Sequence, residues 1–122
     1  MVHCIQMNDR LRLQVIFYRT DSGREPVREW LRSLPRTEKK IIGEDLKTVQ
    51  FGWPLGMPLV RKIATGLWEV RSDLDNRIAR VLFTVHQNVM VLLHGFIKKS
   101  QKTPPTDLNL ARKRLSTLRK NL

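Results

Sequence analysis

The spacing of apolar positions changes along this chain from a helical period to a strand period and back again. Residues 13–18 form a short apolar run typical of a strand, and apolar residues then recur three or four positions apart as far as residue 52. Between residues 66 and 98 apolar and polar positions alternate, as in strands that bury one face. The helical spacing returns after residue 106. The predicted order is strand, helix, helix, three strands and a final helix.

Proline and glycine mark the ends of the two predicted N-terminal helices. Pro26 can occupy the first turn of one helix, and Pro35 ends it. Thr37 is predicted to cap the second helix, which ends at Gly52. The two helices are expected to form an antiparallel hairpin, followed by a loop over the glycine- and proline-rich residues 51–59.

Alternation assigns the residues of the predicted strands to two faces of a sheet. Trp68 is expected to face the core, whereas Glu69 and Arg71 point the other way. Arg80 falls on the polar face of the next strand, and a tight turn at residues 87–88 leads into the last strand. One face should therefore be core, while the other gathers cationic side chains. The elements define an α+β class with a small, mostly antiparallel sheet.

Charge indicates the class of partner. The 122 residues include 23 lysines and arginines against 11 acidic residues, a net charge of +12 that lies mostly in the second half. Such a surface attracts polyanions, so nucleic acid is the leading partner class and an acidic protein the second. The length suits one domain over residues 13–122, preceded by a loose lead-in over residues 1–12. The single cysteine excludes an internal disulfide, and no apolar run is long enough to span a membrane.

Three segments carry a resemblance to a known family. They read GLWEVR at residues 66–71, RVLF at residues 80–83 and LLHGFIKKSQKTP at residues 92–104. With these segments the chain resembles the phage-derived branch of the RelE/HigB toxin family. The resemblance implies a RelE-like fold, with an N-terminal strand and a helical hairpin packed on a small twisted sheet and a C-terminal helix. It also implies an active site on the concave face of that sheet.

The same resemblance implies a function. The expected protein is the toxin of a type II toxin–antitoxin system, an endoribonuclease that cleaves mRNA on the ribosome and needs neither metal nor cofactor. The expected partners are mRNA, the ribosome and a cognate antitoxin, a helix-turn-helix protein similar to HigA. The expected location is the bacterial cytoplasm, without a membrane partner.

Cleavage of RNA by its own 2′-hydroxyl requires a stabilised phosphorane and two proton transfers, and four residues are assigned to these tasks. Arg80 matches the family's strand arginine and would stabilise charge, with Arg71 as a second phosphate clamp. Lys98 is the preferred group for proton transfer, and His94 could serve as acid or base. The predicted RNA-binding residues are Phe96, Lys99, Lys102, Arg77 and Lys62.

Plainer interpretations remain open for the same residues. Arg71 could pair with Asp73 or Glu69, while His94 and Phe96 could belong to the core. RelE-like enzymes often place a tyrosine near the C-terminus in the site, but the only tyrosine here is Tyr18. The alternative function is a non-catalytic nucleic-acid-binding module, or a degenerate toxin that only binds its antitoxin.

Overall fold

The computed structural model describes residues 13–98 and 102–122, which form an α+β arrangement of three helices and a five-stranded sheet. The strands are β1 (Gln14–Phe17), β2 (Val60–Ala64), β3 (Leu67–Asp73), β4 (Ile78–His86) and β5 (Val89–Lys98). The helices are α1 (Pro26–Ser33), α2 (Arg36–Gly52) and α3 (Pro105–Lys120). The predicted fold class and the C-terminal helix are confirmed. The lead-in over residues 1–12 lies outside the described residues, and the single domain over residues 13–122 stays a prediction.

The strands are ordered β1-β5-β4-β3-β2, so that β1 and β2 are the edges. β1 runs parallel to β5, and every other neighbouring pair is antiparallel. The predicted turn between β4 and β5 is confirmed, since Gln87 and Asn88 have φ values of 47° and 66°. Positive φ at both turn residues matches the twist of the strands that they join.

Two details of the secondary structure differ from the sequence-based prediction. Strand β2 was not predicted, and it extends the sheet beyond β3 by pairing antiparallel to it. The capping role predicted for Thr37 is wrong, because α2 already begins at Arg36 and has no side-chain cap. The backbone N–H of Lys39 donates to the carbonyl of Pro35 at 3.0 Å, which places the first helical hydrogen bond ahead of Thr37.

The sheet has a core on each face. Helices α1 and α2 cover one face, where a first apolar cluster includes Val27, Ile42, Val81 and Phe83. Helix α3 covers part of the other face, where a second cluster forms. That second cluster includes Leu67, Leu82, Leu93, Ala111 and Leu115. Where α3 packs, the expectation of one apolar and one cationic face is therefore wrong. The apolar stripe of α3 is buried against the face that was expected to be polar.

Gly95 marks a close approach between α1 and β5. A β-carbon at this position would overlap the indole ring of Trp30. Gly95→Ala is therefore expected to lower the free energy of unfolding by about 1–3 kcal/mol through overpacking. Gly43→Ala is the matched control, because Gly43 lies in α2 with no atom near its added methyl group, and there alanine should stabilise the helix. Urea denaturation measures both, and equal stabilities for the two variants would contradict this packing.

Candidate functional site

A row of side chains crosses three adjacent strands on the face that α3 partly covers. In the antiparallel register Arg71 of β3 pairs with Arg80 of β4, and Arg80 pairs with Phe96 of β5. Arg61 of β2 pairs with Glu69 on the same face. We call Arg61, Arg71 and Arg80 the arginine cluster. In this register the three positions that were predicted to lie together across the sheet are neighbours: Arg71, Arg80 and Phe96.

Arg80 of this row forms a fully buried pair with Glu69. Both side chains are 0% exposed, and the Arg80 Nη1 lies 4.0 Å from the Glu69 Oε2. Burial lowers the pKa of the Arg80 guanidinium, Glu69 opposes that change, and the positive charges of Arg71 and Arg61 reinforce it. In the low-dielectric interior the attraction between the two charges is strong. Removal of either residue would leave the charge of the other buried without a counterpart.

Glu69 is held by a second contact from beyond the sheet. The hydroxyl of Thr103, in the segment that precedes α3, donates to the Glu69 Oε2 at 2.6 Å. The other carboxylate oxygen, Oε1, is buried and accepts no hydrogen bond from the described residues. This carboxylate therefore ties the arginine cluster to the start of α3, and it supplies the negative charge that offsets part of the cluster.

His94 lies in a separate polar network at the N-terminal end of α3. Its Nε2 is 2.7 Å from the Asp107 Oδ1, and its Nδ1 is 3.5 Å from the Arg114 Nη1. Arg114 also donates to the carbonyl of Leu93 at 2.7 Å, and burial lowers the pKa of its guanidinium. The His94 and Phe96 rings are stacked with centroids 5.5 Å apart. Both ring nitrogens of His94 thus face protein groups in this structure.

The side chains of Phe96 and Arg77 both contact other parts of the protein. The Phe96 side chain is 8% exposed and belongs to the second apolar cluster under α3. Arg77, close to the start of β4, donates from Nη2 to both carboxylate oxygens of Glu38 in α2, at 2.6 and 2.7 Å. Such a forked pair ties the β3–β4 connection to the helical hairpin. The Arg77 side chain is therefore engaged with α2.

The predicted lysines that the structure describes lie on β2, at the end of β5 and ahead of α3. Lys62 is exposed and pairs with Trp68, on the opposite side of the sheet from Glu69. Lys102 is exposed just ahead of α3. The backbone of Lys98 pairs with that of Ile78 at the end of β5, and Lys99 lies outside the described residues.

Sequence reasoning missed several members of this site. Arg61 was missed because β2 was not predicted, and the sequence offers Glu69 only as one of two ion-pair partners for Arg71. Alternation already placed Glu69 beside the cations, so a carboxylate between two arginines was the available signal. Thr103 and Asp107 carry no such signal, since their contacts depend on how α3 docks.

Neither a metal centre nor a membrane span is present in the described part of the chain. Among residues 13–98 and 102–122 no three acidic, histidine or cysteine side chains are grouped so that they could hold a metal ion. None of the helices in those ranges is both long and apolar enough to cross a bilayer.

A comparison with known families identifies the family of the chain. A family model matches residues 29–116, a range that begins in α1 and ends within α3 and so contains the arginine cluster and Glu69. The chain belongs to the family described as phage-derived protein Gp49-like (DUF891). This family is associated with the toxins of toxin–antitoxin systems. No curated protein matched the chain significantly.

Proposed function

We propose that this chain is the toxin of a type II toxin–antitoxin pair and that it cleaves mRNA, on the ribosome, as an endoribonuclease. The observation that carries the proposal is the cross-strand row in which Arg71 and Arg80 are register partners, with Arg61 one strand further out. Three guanidinium groups on adjoining strands suit a phosphate that gains charge during reaction. The family's association with toxins and the net charge of +12 support the same function.

The proposed roles follow the depth of each arginine. Arg61 is exposed and Arg71 is half-buried, so these two are the groups that would contact the phosphate oxygens of the substrate. Arg80 is fully buried and would act from beneath, by adding positive potential at the site. Glu69 is a positioning residue in this proposal, because it pairs with Arg80 and is fixed by Thr103.

The nucleophile of the proposed reaction is the 2′-hydroxyl next to the scissile phosphate. Its oxygen forms a bond to phosphorus, the bond from phosphorus to the 5′-oxygen breaks, and the products carry a cyclic phosphate and a 5′-hydroxyl. One group must accept the 2′-hydroxyl proton and another must protonate the leaving oxygen. We retain Lys98 for proton transfer, and we rank His94 below it because Asp107 and Arg114 occupy its ring nitrogens.

A second candidate function is favoured by one specific observation. Arg80 and Glu69 have no exposed surface, so the innermost charges of the site do not meet solvent in this structure. A non-catalytic nucleic-acid-binding module, or a degenerate toxin that only binds an antitoxin, would need only the outer cations. For the toxin, active or degenerate, the proposed partner is a cognate antitoxin, a helix-turn-helix protein similar to HigA, in the bacterial cytoplasm.

A short pulse of expression in bacteria tests the proposal. Growth and protein synthesis should stop, and primer extension on several abundant mRNAs should reveal new 5′ ends within their coding regions. Chloramphenicol-arrested cells without the inducer are the control for ends that form whenever translation stops. If synthesis stops and no new ends form, the nuclease proposal is wrong and the binding function is favoured. Unaffected growth would contradict the assignment as a toxin.

A further inference from the structure

A groove of about 590 Å³ lies between the second half of α3 and the turn that joins β2 to β3. Its apolar lining comes from Ala64, Leu67 and Leu115, of which Leu67 and Leu115 are buried. Its cationic lining comes from Arg112, Arg119 and Lys120 on α3, all of them exposed. No acidic side chain is among its described lining residues. The groove is therefore an apolar trough with a positive rim.

Arg119 is set close to the backbone of the β2–β3 turn by a glycine. Gly66 has a φ of +74°, and a β-carbon there would overlap the Arg119 guanidinium. Glycine thus serves both the left-handed backbone and the approach of the cation. The β2–β3 turn therefore helps to determine where the Arg119 guanidinium lies.

This groove lies beside the arginine cluster and shares no described lining residue with it. Leu67 lines the groove and Arg71 belongs to the cluster, four residues further along β3. At a rise of about 3.3 Å per residue Leu67 is roughly 13 Å from Arg71 and roughly 7 Å from Glu69, the register partner of Arg61, on the same face of the sheet. An occupant of the groove would therefore bind beside the proposed cleavage site without using its residues.

We propose that this groove binds an acidic peptide that inserts apolar side chains between Arg112 and Arg119, and that the peptide is a segment of the antitoxin. Charge complementarity selects the partner, because the rim is wholly cationic. The apolar floor favours a peptide over RNA, since single-stranded RNA is held by aromatic stacking and no aromatic residue lines the groove. The choice of the antitoxin as the source of the peptide rests on the proposed function. The choice of an acidic peptide with apolar side chains rests on the lining of the groove alone.

The test uses a short fluorescein-labelled peptide in which leucines are flanked by glutamates, and it measures affinity for the full-length chain by fluorescence anisotropy. Ser116→Trp should weaken binding by about tenfold or more, because Ser116 is an exposed lining residue and an indole would fill the groove without altering its charge. Arg112→Glu with Arg119→Glu should weaken it at least as much. Lys39→Glu with Lys40→Glu on α2 changes the net charge equally and should have a much smaller effect.

Two results would overturn this proposal. Equal weakening by both double variants, with no effect of Ser116→Trp, would mean that the peptide binds by net charge alone. The second result is that an unlabelled single-stranded RNA displaces the peptide and that Ser116→Trp weakens the binding of this RNA. That result would assign the groove to nucleic acid. Neither result alters the mRNA ends produced on expression, so failure of the groove proposal is distinguishable from failure of the nuclease proposal.

Discussion

Replacing Arg71 with alanine is expected to slow RNA cleavage by about 100–1000-fold, the usual loss when one preorganised donor to a developing negative charge is removed. Arg71 is the suitable position because its side chain is half-buried, next to Arg80 in the register, and lies outside the fully buried pair. The fold should persist, since the backbone N–H of residue 71 still donates to the carbonyl of Leu59. Cleavage is measured under single-turnover conditions on ribosome-bound mRNA by primer extension.

The control for this variant is Arg32→Ala, which removes the same charge from the exposed surface of α1. Arg32→Ala should cleave at close to the wild-type rate and should leave the urea midpoint unchanged. If both variants lose the same activity, the effect of Arg71 is one of general charge and the clamp assignment is wrong. Wild-type cleavage by Arg71→Ala would exclude Arg71 from the chemistry altogether.

The faces of β3 and β4 were predictable because alternation in a strand has a fixed period of two. Glu69 and Arg71 share one face in the register, and Arg80 joins them from β4, as the pattern predicts. The limits of α1 were also predictable, since Pro26 occupies its first turn and Pro35 follows its end. Local geometry settles these features without reference to distant residues.

Features that depend on docking between elements were not predictable. Strand β2 is a short edge strand in which Arg61 and Lys62 are both exposed, so no clean alternation marks it. The apolar stripe of α3 predicts that this helix packs, but not on which face of the sheet. Its placement buries Phe96 in the second apolar cluster, the core position that the sequence left open for this residue. Contacts between residues far apart in sequence, such as that of Thr103 with Glu69, follow from this docking.

The buried pair of Glu69 and Arg80 leads to the largest expected effect on stability. Glu69→Ala and Arg80→Ala should each lower the free energy of unfolding by about 3–5 kcal/mol, because each substitution leaves one charge buried without its counterpart. The double variant Glu69→Leu with Arg80→Met should be more stable than either single variant, since apolar side chains of similar volume replace both charges. Urea denaturation of the wild type, Glu69→Ala, Arg80→Ala and the variant with both alanines measures the coupling between the two residues.

An exposed ion pair is the control for this cycle. Arg24→Ala breaks a pair with Glu29 at the surface and should leave the free energy of unfolding nearly unchanged. Additive effects of the two core substitutions would contradict the buried pair. The cycle also decides how a loss of toxicity in Arg80→Ala is interpreted. If the apolar double variant folds stably and still fails to cleave RNA, Arg80 and Glu69 contribute to the reaction itself, whereas restored cleavage would show that their charges serve only the fold.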